Sequence, residues 1–443
     1  MSIALLTDLY ELNMAASYLR RGMDEPATFS LFVRALPADR GYLVAAGLQS
    51  CLDVLEAFRF ESEDLDHLRD VLHFPEADVR HFAELRFRGD VWAVPEGRVV
   101  FAGEPLLEVS APIAQAQIVE TLLLNQVTFQ TAIASKAARC RVAARGRAVV
   151  DFALRRTHGT DAGMGVARAT AIAGFAATSN VEAGRRFGLQ VSGTMAHSYI
   201  EAFATEHEAF LAFAEDFPTA TTFLVDTYDT LGGVRTAIEV ARERGLGDAV
   251  GIRIDSGDLA ELAAEARRML DAAGLRGARI VVSGGLDEFD VDALVGGASP
   301  APIDAFGVGT RIGVSDDAPT LDTVYKLVEY AGRPVRKLSP GKATAPGAKQ
   351  VLRHPSMRDD VVALRHEALE GYQPLLVPVM QSGRRMAGDS TGIAAARARL
   401  DADLALLPPG ALRLRQPESP PVLWSDGLTR LTERVSGGLR QER

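Results

Sequence analysis

Arg253 and Asp255 lie two residues apart in Val250-Gly251-Ile252-Arg253-Ile254-Asp255-Ser256-Gly257-Asp258, where an apolar run gives way to polar residues. Alternate residues of a strand face the same side, so the two charged side chains point together. A buried charge without a partner is very costly. Inward-facing charges at a strand end must therefore meet each other, as a structural ion pair, or meet a metal or a ligand. His197 follows the turn Ser192-Gly193-Thr194, and of the eight histidines only it and His158 fall near a strand end. An imidazole there can serve as a nucleophile or an acid/base group, or can be purely structural. Two glycine turns, Ser283-Gly284-Gly285 and Gly307-Val308-Gly309-Thr310-Arg311, allow backbone N–H groups to approach an oxyanion. Tight βα turns need glycine anyway, but two in adjacent units favour a phosphate site. Asp226 and Asp229, with Asp255 and Asp258, supply carboxylates for Mg²⁺, which binds through one or two carboxylates plus substrate phosphates. No spacing of cysteine or histidine suggests zinc, and neither a P-loop nor a dinucleotide fingerprint occurs.

Positioning these residues requires a repeated element. Six apolar runs each lead into such a signature: Val149-Val150-Asp151 into Arg155-Arg156, Leu189-Gln190-Val191 into Ser192, and Phe223-Leu224-Val225 into Asp226. Val250 to Ile254, Ile280-Val281-Val282 and Ala305 to Val308 complete the series. Short β-branched runs bounded by Gly, Asp and Ser read as buried parallel strands. The signatures at 192, 226, 255, 283 and 309 are separated by 34, 29, 28 and 26 residues. A strand plus its crossover helix takes roughly 30 residues. The expected fold class is therefore α/β, an irregular, TIM-like (β/α) barrel, with chemistry at the C-terminal ends of the strands.

Around this core the chain of 443 residues reads as three segments. Residues 1–120 form an α+β domain, 121–335 the barrel, and 336–443 a C-terminal segment packing on the first domain. Within the first, Leu9 to Leu19 and Leu48 to Phe58 are helical, Ala27 to Val33 is a strand, and Phe60 to Phe87 is helix-rich. Arg88 to Pro112 alternates apolar residues with Gly and Pro turns, as an antiparallel meander does. Gln115 to Ala144 reads as one long helix. Beyond the Pro- and Gly-rich Ser339-Pro340-Gly341 and Pro346-Gly347 come strands at Val361–Leu364 and Leu375–Val379, a helix Ile393–Leu406, a strand at Pro421–Leu423 and a loose tail past Gly437.

Composition excludes several functions. A net charge of −10 is against a nucleic-acid footprint. No apolar run approaches the ~18 residues a membrane helix needs. Two cysteines, Cys51 and Cys140, are too few for a disulfide framework, and the N-terminal residues lack a basic region, so a cytoplasmic protein is expected. Of the 48 basic residues only five are lysines, so a single arginine says little except by its place at a strand end. An unrelated sugar-phosphate isomerase or aldolase should show a strand-end lysine or glutamate, and Lys326 alone comes near one, inside an apolar run.

In order along the chain, the motifs resemble the nicotinate phosphoribosyltransferase family. They are Leu6-Thr7-Asp8-Leu9-Tyr10-Glu11-Leu12, Arg155-Arg156, Thr178-Ser179-Asn180, Ser192 to Ser198, Arg253 to Leu259, Gly307 to Thr310 and Val324 to Val328. The resemblance implies an enzyme that joins nicotinate to 5-phosphoribosyl diphosphate, giving nicotinate mononucleotide and diphosphate in NAD salvage. It also implies ATP hydrolysis through a phosphohistidine at His197, with Mg²⁺ as cofactor and a homodimer as the assembly. Tyr10 would stack on nicotinate across the dimer interface, and Thr194 and Arg253 would meet its ring and carboxylate. Thr310 would bind the phosphoribosyl phosphate, with Arg155, Ser283, Gly284, Gly285 and Gly309 beside the substrates. Asp255 would act in catalysis, and Asp226 and Asp258 are the candidate metal ligands. An arginine suits a planar carboxylate, and a departing diphosphate needs cationic partners. A nicotinamide-using phosphoribosyltransferase shares these motifs, but its neutral amide would not reward Arg253. A non-catalytic metabolite sensor would have little use for Arg155, His197, Arg253 and Asp255 together. The chain departs from the family pattern at Ala153 and at Ala176-Ala177.

Overall fold

Strand pairing and helix placement come from a computed structural model, which describes all residues except 1–2, 220, 340–343, 387, 389–391 and 442–443. The expected turn at Ser339-Pro340-Gly341 lies partly outside the described residues. The chain divides into two compact units, one of Met1–Ser135 with Thr320–Arg443 and one of Lys136–Pro319.

In the second unit, parallel strands occupy Ala148–Asp151, Ala177–Thr178, Thr222–Leu224, Gly251–Ile254, Arg279–Val282 and Ala305–Val308. Ala148–Asp151, first in the chain, pairs with Ala305–Val308, the last, and the rest follow in the order 305–308, 279–282, 251–254, 222–224. That pairing curls the sheet into the barrel-like form, and because every pair is parallel the C-terminal strand ends share one edge. Amphipathic helices return the chain between strands. Leu259–Ala272, for example, buries Ala263, Ala266 and Leu270, one stripe of a 3.6-residue period. Two expectations change. Leu189–Val191 is not a strand but a single parallel bridge from Val191 to Thr178. The other neighbour of Ala148–Asp151 is Ala177–Thr178, too short for its apolar pattern to be read from sequence.

In the first unit, the described residues include a seven-stranded antiparallel sheet in the order 333–334, 323–330, 26–33, 105–112, 90–93, 377–381, 384–385. Thr323–Tyr330 pairs along the length of Pro26–Val33. The boundary expected at 335 therefore falls before residue 320, since backbone pairing commits that strand to this unit. This unit also holds a four-stranded sheet of 373–374, 349–353, 360–364 and 422–424 and a two-stranded one of 43–44 and 99–100. The C-terminal segment is tied to the N-terminal residues by buried charges: Lys349 and Arg365 both pair with the fully buried Glu108, and Arg98 pairs with Asp403. The long helix breaks at Val119 into Ile113–Ile118 and Glu120–Ala143. The tail is more ordered than its composition suggests, as the helix Asp426–Gln441.

Candidate active site

Arg253 pairs in register with Leu224 on one side and Val281 on the other, so strands flank it on both sides. Its side chain is only 12% exposed, and a charge so placed must be satisfied by the protein or by a ligand. Nη2 donates to Asp255 Oδ1 at 3.1 Å, Nε to Ser283 Oγ at 2.9 Å, and Nη1 to Thr194 Oγ1 at 3.1 Å. The Phe152 ring lies 5.6 Å beneath the guanidinium. Ser283 also donates to Asp255 Oδ1 in a very short contact. The Arg253–Asp255 ion pair does form, and Thr194 and Ser283 reach it from two other segments.

Asp255 is shaped by opposed effects. Burial pushes its carboxyl up, but the Ser283 hydroxyl, the Arg253 guanidinium and the nearby His197 outweigh it and hold the group below the usual aspartate range. Its backbone N–H donates to Asp226 Oδ2 at 3.0 Å, and Ser256 Oγ donates to the same oxygen at 2.6 Å. His197 begins the helix His197–Glu201, and its Nδ1 lies 3.2 Å from Thr227 Oγ1. Asp226 and Thr227 thus hold one loop against both Asp255 and His197.

The other expected residues are placed as follows. Gly284 has φ +112°, and a Cβ there would stand 2.2 Å from the Asp255 carbonyl oxygen, so glycine is required for that close approach. Gly285 also has positive φ and faces open space. A Cβ on Gly309 would sit 3.3 Å from the Phe152 carbonyl oxygen, and Thr310 beside it is exposed. The Ser283 side chain turns to Arg253 and Asp255 rather than outward. Arg311, set beside the glycine turn in sequence, is instead paired with Asp287 and Asp290. Arg155 is exposed in the turn Leu154–Arg156, outside the hydrogen-bonded network among the described residues. Ala153 adopts ordinary right-handed backbone, and its N–H donates to the buried Asp151 carboxylate at 2.8 Å, so that turn does not need glycine. Tyr10 belongs to the first unit, 46% exposed, on a cavity of about 400 Å³ with Tyr18, Glu120 and Lys326. Burial and the neighbouring Glu120 push its phenol well up.

The strand-end carboxylates differ in how well they suit Mg²⁺. Asp226 Oδ1 is shielded from solvent and has no hydrogen-bond partner, the state of an oxygen suited to a cation. Asp258 fits less well, since its side chain caps the helix Leu259–Ala272 by accepting from Glu261 N at 3.1 Å. Among the described residues no group of three or more acidic, histidine or cysteine side chains could hold a metal, so any ion would draw further ligands from substrate. Sequence reasoning passed over Phe152 and Thr227. Both directly follow strand-end aspartates, which was the one available signal.

A parallel, barrel-like sheet whose shared edge gathers Arg253, Asp255, His197 and two glycine turns defines the class: a barrel-type α/β enzyme for anionic substrates. Two family profiles match, one described as nicotinate phosphoribosyltransferase (NAPRTase) N-terminal domain over residues 5–128 and one as nicotinate phosphoribosyltransferase (NAPRTase) family over residues 148–361. A Mycobacterium tuberculosis protein named nicotinate phosphoribosyltransferase pncB2 is 49% identical over 410 residues, 92% of this chain and 88% of its own. The Bacillus subtilis nicotinate phosphoribosyltransferase is 46% identical over 80% of this chain and 73% of its own. The crystal structure of human nicotinic acid phosphoribosyltransferase superposes with a TM-score of 0.86 at 30% identity, covering 97% of this chain and 99% of that one. The chain belongs to the nicotinate phosphoribosyltransferase family.

Proposed function

We propose that this enzyme joins nicotinate to 5-phosphoribosyl diphosphate, releasing diphosphate and forming nicotinate mononucleotide for NAD salvage. The observation that carries the reading is the largely buried Arg253 side chain, its guanidinium held in place by Asp255, Ser283 and Thr194. A planar fork of N–H donors matches a carboxylate, and its low exposure strengthens the attraction. The pyridine nitrogen attacks C1 of the sugar as the bond to diphosphate breaks. Gly284, Gly285 and Gly309 let backbone N–H groups approach the phosphates, with the Thr310 hydroxyl and Arg155 alongside. Mg²⁺ held by Asp226, with Asp258 at the loop's end, would neutralise charge on the leaving diphosphate. Asp255 keeps Arg253 oriented and remains ionised at neutral pH.

ATP hydrolysis is coupled through His197. An imidazole nitrogen attacks the γ-phosphorus, the bond to ADP breaks, and the phosphohistidine is later hydrolysed to phosphate. Thr227 holds the ring by Nδ1. Two copies form a homodimer in which Tyr10 of one stacks on the nicotinate of the other, and the enzyme works in the cytoplasm. No described helix is long and apolar enough to cross a membrane. Steady-state turnover of nicotinate and of nicotinamide, each with and without ATP, tests the reading. Preference for nicotinate and stimulation by ATP are expected, and equal use of both bases would overturn the substrate assignment.

A further inference from the structure

Lys136 is a lysine with no exposed side-chain surface, and the nucleotide chemistry above does not use it. Its Nζ lies 2.8 Å from Glu288, 2.9 Å from Asp317 and 3.0 Å from Asp316. These partners come from two different loops. Glu288 opens the helix Glu288–Val295, which follows the Ser283-Gly284-Gly285 turn, and Asp316-Asp317 follow the Gly309-Thr310 turn. Arg139, one helical turn beyond Lys136, adds a second cation to Glu288 at 2.9 Å. Arg311 ties the same two segments again through Asp287 and Asp290, and its Nε lies 3.8 Å from Asp316. Between them Ser315 is fully buried at φ +47°, with its hydroxyl donating to the Ala318 carbonyl at 2.8 Å, so the second loop is a folded turn. Burial alone would push the Lys136 ammonium down, but Glu288 and Asp317 overcome it and hold it above its ordinary value.

We infer that Lys136 is a positioning residue for the diphosphate-sugar pocket: it locks the two glycine turns, which are separate in sequence, into one spacing before the phosphates arrive. The inference rests on the assignment of those turns to phosphate binding. A ligand that must first organise its site binds more weakly by the fraction of protein already competent. A cross-link between two loops raises that fraction without touching the ligand.

Lys136→Met leaves Glu288 buried without its ammonium partner and risks unfolding. The decisive variant is therefore Asp316→Asn with Asp317→Asn. These side chains are 39% and 25% exposed, and the Lys136–Glu288 pair survives their loss. Asp292→Asn, on the same helix as Glu288 but in an exposed pair with Arg145, is the control. If the loops relax so that about a tenth of the molecules are competent, the KM for 5-phosphoribosyl diphosphate rises about tenfold. The KM for nicotinate should stay within about twofold, and the control should match wild type in both. An unchanged diphosphate-sugar KM in the folded double variant overturns the inference, as does an equal rise in both KM values. Gly309→Val, measured in parallel, separates the two levels. If it binds diphosphate sugar normally, the pocket itself is misassigned. If it loses binding while the aspartate variant does not, only the role of Lys136 falls.

Discussion

Replacing Arg253 by alanine removes a cation whose Nε, Nη1 and Nη2 each donate to a different segment: Ser283, Thr194 and Asp255. Two losses follow, and they are separable. Nicotinate loses its charged partner, and a hydrogen bond to a charged group is worth about 1.5–3 kcal/mol. At about 1.4 kcal/mol per factor of ten, the KM for nicotinate should rise roughly ten- to a hundredfold. Asp255 meanwhile keeps the Ser283 hydroxyl but loses its ion pair, so the melting temperature should fall as well. Arg253→Lys distinguishes the two effects. It keeps the charge near Asp255 but not the planar fork, so stability should recover more than nicotinate affinity does. Initial rates over a range of nicotinate at saturating 5-phosphoribosyl diphosphate, with thermal melts of the same preparations, supply both readings. If the alanine variant keeps its nicotinate KM within about twofold, Arg253 is a structural ion pair and the assignment of the carboxylate site fails.

His197→Ala should still bind nicotinate but lose ATPase activity and the ATP-driven gain in rate. Wild type incubated with γ-labelled ATP should yield an acid-labile, base-stable label on the peptide around His197, and a label elsewhere would remove His197 from the coupling step. Gly309→Val brings side-chain atoms beyond a Cβ that already stands 3.3 Å from the Phe152 carbonyl oxygen. It should weaken diphosphate-sugar binding at least about tenfold by calorimetry, by blocking backbone approach in a protein that still folds. Asp255 has a depressed carboxyl, so its contribution to stability is present above the ordinary aspartate value, about 3.9, and is lost as pH falls through its lower folded value. Denaturation of wild type and Asp255→Asn across pH should show a gap that is level near neutrality and closes only in acid. A gap that closes above pH ~5 would mean the carboxyl is not depressed.

The barrel-like sheet was legible because its strands are buried on both faces. Runs such as Ile280-Val281-Val282 must then be wholly apolar, and their spacing follows from the length of a strand and its crossover helix. The helix Ile393–Leu406 was legible to the residue, because Pro408-Pro409-Gly410 stop it just beyond. Period alone also placed Arg253 and Asp255 on one side of their strand. Whatever depended on partners distant in sequence was not legible. Ala177–Thr178 is too short to carry a pattern and is a strand only because Val150 and Asp151 lie beside it. Thr323–Tyr330 falls within the stretch 121–335 expected for the barrel, until its pairing with Pro26–Val33 assigns it to the other unit. The glycines of two turns suggested a phosphate cradle, but only tertiary structure turned Ser283 inward and took Arg311 away to Asp287. Local pattern decides which residues face the same way, because that depends on the backbone repeat. Which charges meet depends on desolvation and distance, and those exist only once the segments are folded together.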